Sequence, residues 1–285
     1  LIGITDYNGT WYQRKGGDGS GISIDPEDPT RIYASVYHGG PVSWRRYRST
    51  NTGLTWNTFV FGITGDSLNW APRVRSNGLN ADNLYTNANE HVYVSETPHD
   101  LWQRMNTVPF PSPVSEITVS NDNTIYACLD SVVNWVPQHL RLYVYDNGNW
   151  FERSNGLPAG VRIRKVVPHP VWPGRAYALM NGLGSPGQQI YRTNNRGISW
   201  TNVTGNLPNV PLADLVIYPT ISQDRNLYLG TEFGCFRSTD GGTSWHRWNF
   251  AMPDANIITE MVAIDSLLIN GKFYIVAGTY GRSIW

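Results

Sequence analysis

Charge is scarce in this chain. Asp, Glu, Lys and Arg make up 15% of 285 residues, against about 25% in an average soluble domain. Cysteine is scarcer still: Cys128 and Cys235 stand alone, too few for a disulfide framework or a CxxC zinc site. No apolar run approaches the roughly 18 residues that a membrane-spanning helix needs, so no membrane insertion is expected. Lys+Arg and Asp+Glu balance at 22 each, with a pI near 7.2, which argues against a generic phosphate-binding surface and a nucleic-acid partner. There is no G-x-S-x-G elbow, no Walker loop and no H-E-x-x-H. The six histidines (38, 91, 99, 139, 169 and 246) show no ligand spacing, and neither metal nor cofactor is expected. His169, inside Pro168-His169-Pro170, reads as a turn residue rather than a ligand. The chain starts Leu1-Ile2 without Met and stops at Trp285 in a strand-like run, so a fragment of a longer protein is expected.

What is abundant points one way. Aromatics reach 13%, with 12 Trp and 16 Tyr, beside 28 Gly and 18 Pro. Many aromatics, many turn residues and few charges favour short strands and tight turns over long helices. Three segments repeat the pattern S/T-x-D/N-x-G-x-T/S-W: Ser49 to Trp56, Thr193 to Trp200, and Ser238 to Trp245. Weaker copies end at Trp11, Trp102 and Trp150, and the six Trp positions recur every 45 to 50 residues. Six Tyr-centred apolar segments, around Tyr33, Tyr85, Tyr126, Tyr177, Tyr228 and Tyr274, repeat at a similar interval. Each unit reads as about four strands in about 45 residues, the size of one β-propeller blade.

The expectation is therefore an all-β, six-bladed β-propeller forming a single domain. Its blades fall at about 18–60, 69–105, 113–154, 161–205, 212–249 and 256–285 plus 1–15. The last unit supplies inner strands without a box, and residues 1–15 supply a box without inner strands. Joining the two closes the sheet edges that otherwise invite aggregation. A truncated propeller of seven or more blades is the alternative.

The box resembles the Asp-box, or BNR repeat, of sialidases, xyloglucanase-type glycoside hydrolases, sortilin-type receptor ectodomains and photosystem assembly propellers. Gly16-Gly-Asp18-Gly, Gly205-Asn-Leu-Pro208 and Gly278-Thr-Tyr-Gly-Arg282 are similar to phrases of bacterial secreted BNR-repeat proteins. The resemblance implies a β-propeller in a secreted or cell-surface bacterial protein, with other domains of the same longer chain as partners. The repeat supports a fold and not by itself an activity. A structural role is read for Asp6, Trp11, Asn51, Gly53, Trp56, Asn195, Gly197, Trp200, Asp240, Gly242 and Trp245: acceptors for turn N–H groups, glycines for positive φ, indoles for burial.

In propellers, loops joining second to third strands share one face, opposite the box turns. On that face Trp44, Trp135, Glu232, Tyr280 and Arg282 are the candidate ligand-binding residues, aromatic rings beside groups that bond sugar hydroxyls or a peptide. Glycosidases need two carboxylates about 5–10 Å apart, and Asp18, Asp66, Asp130 and Glu232 are candidates by position. The Arg-Ile-Pro motif of sialidases is absent. Xyloglucanase-type enzymes use two propellers with a cleft between them, and one is expected here. The leading expectation is a binding or scaffolding propeller that recognises a glycan or a protein. The alternative is a glycoside hydrolase domain working with a partner propeller. Cys128 and Cys235, in different units, are expected to be buried free thiols.

Overall fold

The computed structural model describes residues 2–5, 11–15, 18–37, 44–64, 72–133, 136–138, 140–181, 186–218, 225–248, 257–266 and 272–280. They form two compact units, one of Leu1–His139 with Tyr145–Trp150, the other of Leu140–Val144 with Phe151–Trp285. Among the described residues every regular element is a strand.

The first unit opens with an antiparallel pair, β1 (Ile2–Thr5) and β2 (Trp11–Lys15). The first blade follows, a four-stranded sheet of β3 (Asp18–Ile24), β4 (Ile32–Tyr37), β5 (Trp44–Ser49) and β6 (Asn57–Thr58) in chain order. The second blade holds β7 (Asn83–Ala88), β8 (His91–Glu96) and β9 (Gln103–Arg104). Its inner strand shrinks to one bridge, in which Arg75 and Tyr85 exchange both backbone hydrogen bonds, at 2.8 and 2.7 Å. The third blade orders β10 (Val114–Val119), β11 (Ile125–Leu129), β14 (Leu142–Asp146) and β15 (Asn149–Glu152). A small hairpin, β12 (Ser131–Val133) and β13 (Val136–Gln138), is inserted between its second and third strands.

In the second unit, the fourth blade is β16 (Ile163–Pro168), β17 (Ala176–Met180), β18 (Ile190–Thr193) and β19 (Thr201–Asn202). The fifth is β20 (Leu212–Ile217), β21 (Leu227–Thr231), β22 (Gly234–Ser238) and β23 (His246–Arg247). A long hairpin, β24 (Ile258–Ser266) with β25 (Lys272–Thr279), ends the described chain. The Tyr-centred segments supply the second strands. β11, β17 and β21 are buried at every position, because both sheet faces are covered by packed neighbours. A run such as Ala176-Tyr-Ala-Leu-Met180 is therefore continuously apolar rather than alternating.

The structure corrects the blade count: it shows five blades, not six. The two end segments that sequence phase would join into a sixth are separate two-stranded sheets. Each satisfies its ladder internally: β1 pairs with β2 from Ile2↔Lys15 to Thr5↔Trp11, and β24 pairs with β25 from Ile258↔Thr279 to Ser266↔Lys272. A complementary phase only says that two halves have the right form. The backbone hydrogen bonds decide the pairing, and here each hairpin uses them locally.

The turns between first and second strands repeat one device. Asp25 Oδ1 accepts the N–H groups of Glu27 and Asp28 at 2.9 and 3.1 Å. Asn77 Oδ1 accepts those of Leu79 and Asn80 at 2.8 and 2.9 Å. In the fourth blade the buried His169 takes this place, its Nδ1 accepting from Val171 and Trp172 at 3.1 and 3.2 Å. An imidazole thus replaces a carboxamide as the turn acceptor.

Candidate functional site

The repeated box forms the same hydrogen-bonded turn in its three strong copies. The leading hydroxyl, on Ser49, Thr193 or Ser238, accepts the N–H of Gly53, Gly197 or Gly242 at 2.8 to 2.9 Å. Asn51, Asn195 and Asp240 each accept that hydroxyl's proton through Oδ1, at 2.8 to 3.0 Å. The same Oδ1 accepts the N–H four residues on, from Thr55, Ser199 or Ser244, at 2.9 to 3.0 Å. The side chain there closes the turn in one of two ways. Asn51 and Asn195 donate to a hydroxyl, whereas Asp240 Oδ2 accepts from the Ser244 hydroxyl at 2.6 Å. Asp6 lies outside the described residues, as does the side chain of Trp11, which opens β2.

The Trp of the box reaches back to the preceding blade. Trp102 Nε1 donates to the Phe59 carbonyl at 3.0 Å, Trp200 Nε1 to the Arg153 carbonyl at 2.9 Å, and Trp245 Nε1 to the Val203 carbonyl at 3.5 Å. Trp150 packs edge-on against Phe110 at 5.1 Å. In the first blade Trp56 bonds its own Gly53 carbonyl at 2.9 Å instead. Asn206 adds a side-chain clasp, accepting the Trp245 N–H at 2.6 Å and donating to its carbonyl at 3.1 Å. The box residues thus tie blades together.

The opposite ends of the strands carry the exposed chemistry. In the second unit, β21 turns into β22 through Glu232 and Phe233, both exposed. The Thr231 hydroxyl fixes this turn, accepting the Phe233 N–H at 3.0 Å and donating to the Gly234 carbonyl at 2.8 Å. The Glu232 N–H bonds the Pro211 carbonyl at 3.2 Å, and Arg247 Nη2 reaches the Phe233 carbonyl at 3.5 Å. Next to this turn, Tyr280 follows β25, its N–H on the Ile257 carbonyl at 2.9 Å. The two segments meet where Gly230 packs on Ile258: a Cβ on Gly230 would sit 2.7 Å from Ile258 Cγ2. Phe233 is 58% exposed and Tyr280 76% exposed. This rim therefore presents two rings and a carboxylate: faces for stacking on a sugar or an apolar side chain, and an acceptor for hydroxyl or N–H groups.

The other sequence candidates fall elsewhere. Trp44 opens β5 and Asp18 opens β3, and their side chains lie outside the described set. Trp135, Asp66 and Arg282 are outside the described residues altogether. Asp130 follows β11 in the first unit, its N–H on the Pro113 carbonyl at 3.0 Å. Cys128 and Cys235 are buried free thiols.

One recurring feature escapes sequence reading. The inner strands β3, β10, β16, β20 and β24 carry a β-bulge near the start, and in the last four the residue after it is Glu116, Lys165, Asp214 and Glu260. Bulges re-aim side chains, and Glu116, Lys165 and Asp214 find charged partners along the inner strands. Arg75 Nη2 meets Glu116 at 2.9 Å, and Lys165 Nζ meets Asp214 at 2.7 Å across 49 residues. Asp214 Oδ2 also accepts the Met261 N–H at 3.2 Å. The available signal was a charge at the third position of each of these strands, repeated at nearly the blade interval.

No family model matches the chain, and no curated protein does. Solved structures do. A YCF48 structure bound to D1 peptide is 15% identical with a TM-score of 0.59, covering 93% of this chain and 76% of that one. The GH74 xyloglucanase from Xanthomonas campestris is 16% identical with a TM-score of 0.60, over 93% of this chain and 43% of that one. The extracellular domain of the one component system BT4673 from B. thetaiotaomicron is 15% identical with a TM-score of 0.62, over 98% of this chain and 33% of that one. At such identities the likeness carries the fold alone. Among the described residues no helix is long and apolar enough to cross a membrane. The strand order, the repeated turn and these neighbours together make the chain an all-β β-propeller with five blades in evidence.

Proposed function

We propose that this chain is a binding and scaffolding β-propeller of the Asp-box type, a module of a secreted or cell-surface bacterial protein that recognises a glycan or protein segment at the rim around Glu232. The observation that carries the reading is that Phe233 and Tyr280 are both exposed at neighbouring strand ends, with Glu232 beside Phe233 in its turn. Burying large aromatics is favourable, and the backbone around these two is held by hydrogen bonds that leave the rings outward. Exposed aromatics and a nearby acceptor are the composition of a recognition surface. Arg282, two residues past Tyr280 in the sequence, belongs to the same proposal. The solved neighbours support a binding role, since one is a propeller bound to a peptide and another is an extracellular domain. Asn51, Asn195 and Asp240, with their Gly and Trp partners, hold blades rather than ligand in this reading.

The test is a binding screen of the purified chain on glycan and peptide arrays, repeated with Phe233→Ala/Tyr280→Ala. Ligands of the wild type should drop at least tenfold in affinity in the double variant, with its melting temperature unchanged. Retention of every ligand by a folded double variant would reject the rim as the binding surface.

A further inference from the structure

An asparagine followed by glycine carries the parts of a reaction with itself. The glycine amide nitrogen can attack the carboxamide carbon, because no Cβ shields it and few backbone angles are barred to it. The chain holds six such pairs, which begin at Asn8, Asn77, Asn147, Asn155, Asn181 and Asn270. Both members are among the described residues at Asn77-Gly78, Asn147-Gly148 and Asn155-Gly156.

These three differ in how the carboxamide is held. Asn77 is 7% exposed. Its Oδ1 accepts the N–H groups of Leu79 and Asn80, and its Nδ2 donates to Asn123 Oδ1 at 3.0 Å. It cannot turn onto the Gly78 nitrogen without giving up these bonds, so reaction there waits for the turn to open. Asn155 is exposed, but Gly156 is backed by the box of the fourth blade: a Cβ there would sit 3.1 Å from the Trp200 carbonyl oxygen. Asn147 and Gly148 are both exposed and form the two-residue turn between β14 and β15. Their φ values of +50 and +84 belong to the primed hairpin turn that Asn-Gly favours. A Cβ on Gly148 would meet nothing within 4 Å. The bond that Asn149 Nδ2 makes to Asn147 falls on its backbone carbonyl, at 3.3 Å, and leaves the carboxamide to turn.

We propose that Asn147 is a self-modification site, converted in the native protein to aspartate and isoaspartate with water as co-reactant. The Gly148 nitrogen bonds to Asn147 Cγ and gives its proton to a solvent base. The Cγ–Nδ2 bond breaks, and the nitrogen leaves as ammonia with a proton from solvent. Water then adds to one of the two carbonyls of the cyclic imide. Breaking the new Cγ–N bond yields aspartate, whereas breaking the original backbone C–N bond yields isoaspartate, with the chain running through Cγ. The second product inserts a methylene into a two-residue turn, and loop length fixes hairpin register. β15 carries Trp150, whose ring packs on Phe110 at 5.1 Å and on Tyr145 at 5.2 Å. The isoaspartate form therefore loosens the outer strand of the third blade. The aspartate form keeps the turn, since Asp-Gly suits the same geometry.

The purified chain would be held at mildly alkaline pH, sampled over days and digested, with amide-to-acid conversion mapped by peptide mass and isoaspartate assigned by fragmentation. In the native protein Asn147 should convert at least tenfold faster than Asn77, and the two rates should converge in denaturant. Gly148→Ala should slow conversion at Asn147 at least tenfold, because a Cβ crowds the attacking nitrogen. Asn147→Asp should melt with the fresh wild type, whereas wild type enriched in isoaspartate should melt lower. Equal native rates at Asn77 and Asn147, or an Asn147 that converts only after unfolding, would overturn the site. Isoaspartate at Asn147 with an unchanged melting temperature would overturn its effect on the third blade.

Discussion

Trp200 donates its indole N–H to the carbonyl of Arg153, 47 residues earlier, at 2.9 Å. The contact recurs from Trp102 to Phe59 and from Trp245 to Val203. The box is thus a fastener that works across a blade boundary, its turn closed locally and its Trp spent on the neighbour. Trp200→Phe should keep most of the burial and lose one hydrogen bond, costing about 1 kcal/mol. Trp245→Ala should cost about 3–5 kcal/mol, as large aromatic truncations in cores do. Denaturant titration of both variants measures this. Equal losses would mean that the indole hydrogen bond matters as much as the whole side chain.

Asp240 differs from its counterparts Asn51 and Asn195 in being ionisable. Burial pushes its carboxyl up, but hydrogen bonds from the Ser244 hydroxyl and N–H, the Ser238 hydroxyl and the Thr243 N–H outweigh it and hold the group at about 2, below its ordinary 3.8. A carboxyl lowered on folding stabilises above its unfolded value, and that share is lost as pH falls through the folded value. Stability from this turn should therefore decline between about pH 4 and pH 2, by on the order of 1 kcal/mol after discounting for its part exposure. Asp240→Asn should remove that share of the decline and cost little at neutral pH, because two natural copies already use Asn. A steeper acid loss in the variant than in the wild type would contradict this.

Gly205 and Gly148 separate steric crowding from backbone strain. Gly205 has φ +54, and a Cβ there would lie 2.2 Å from the Thr243 carbonyl oxygen, on the next box. Gly148 has φ +84 and nothing within 4 Å of a Cβ. Gly148→Ala should cost about 1 kcal/mol, the price of positive φ alone. Gly205→Ala should cost clearly more, since backbone must move. Thermal melts that rank the two the other way would show that the Gly205 loop yields easily.

Cys235 is fully buried, and burial pushes its thiol up to about 12. A thiol in that state offers almost no thiolate at neutral pH. Native protein should react with Ellman's reagent at Cys235 only as fast as it unfolds, and at once in denaturant. Rapid labelling in the native state, located by peptide mapping, would contradict the placement.

Much of the architecture was legible because its signals repeat. The three strong boxes, the Trp interval and the Tyr-centred strands all surface as expected, since each is a local pattern with a local cause. That residues 1–15 and 256–285 form separate hairpins rather than one blade was not legible. Phase shows that β1–β2 and β24–β25 have complementary forms, but pairing depends on backbone partners that no periodicity names. The inner-strand pair of Lys165 and Asp214 was hidden for a related reason: a bulge sets their direction, and a one-residue irregularity leaves almost no trace in an apolar run. At the rim, Glu232 and Tyr280 were legible as strand-end residues. Phe233 was hidden by its neighbours, because nothing in Glu232-Phe233-Gly234 says that the ring turns outward.

The most direct test of a binding rather than a hydrolytic rim is turnover. The purified chain and Glu232→Gln would be assayed side by side on sialosides, xyloglucan and mixed-linkage glucans at several pH values, with reducing ends as the readout. The predicted result is no turnover above blank by either protein, on substrates whose binding the array screen can still register. Turnover by the wild type that Glu232→Gln abolishes would contradict the binding reading and assign the rim to catalysis.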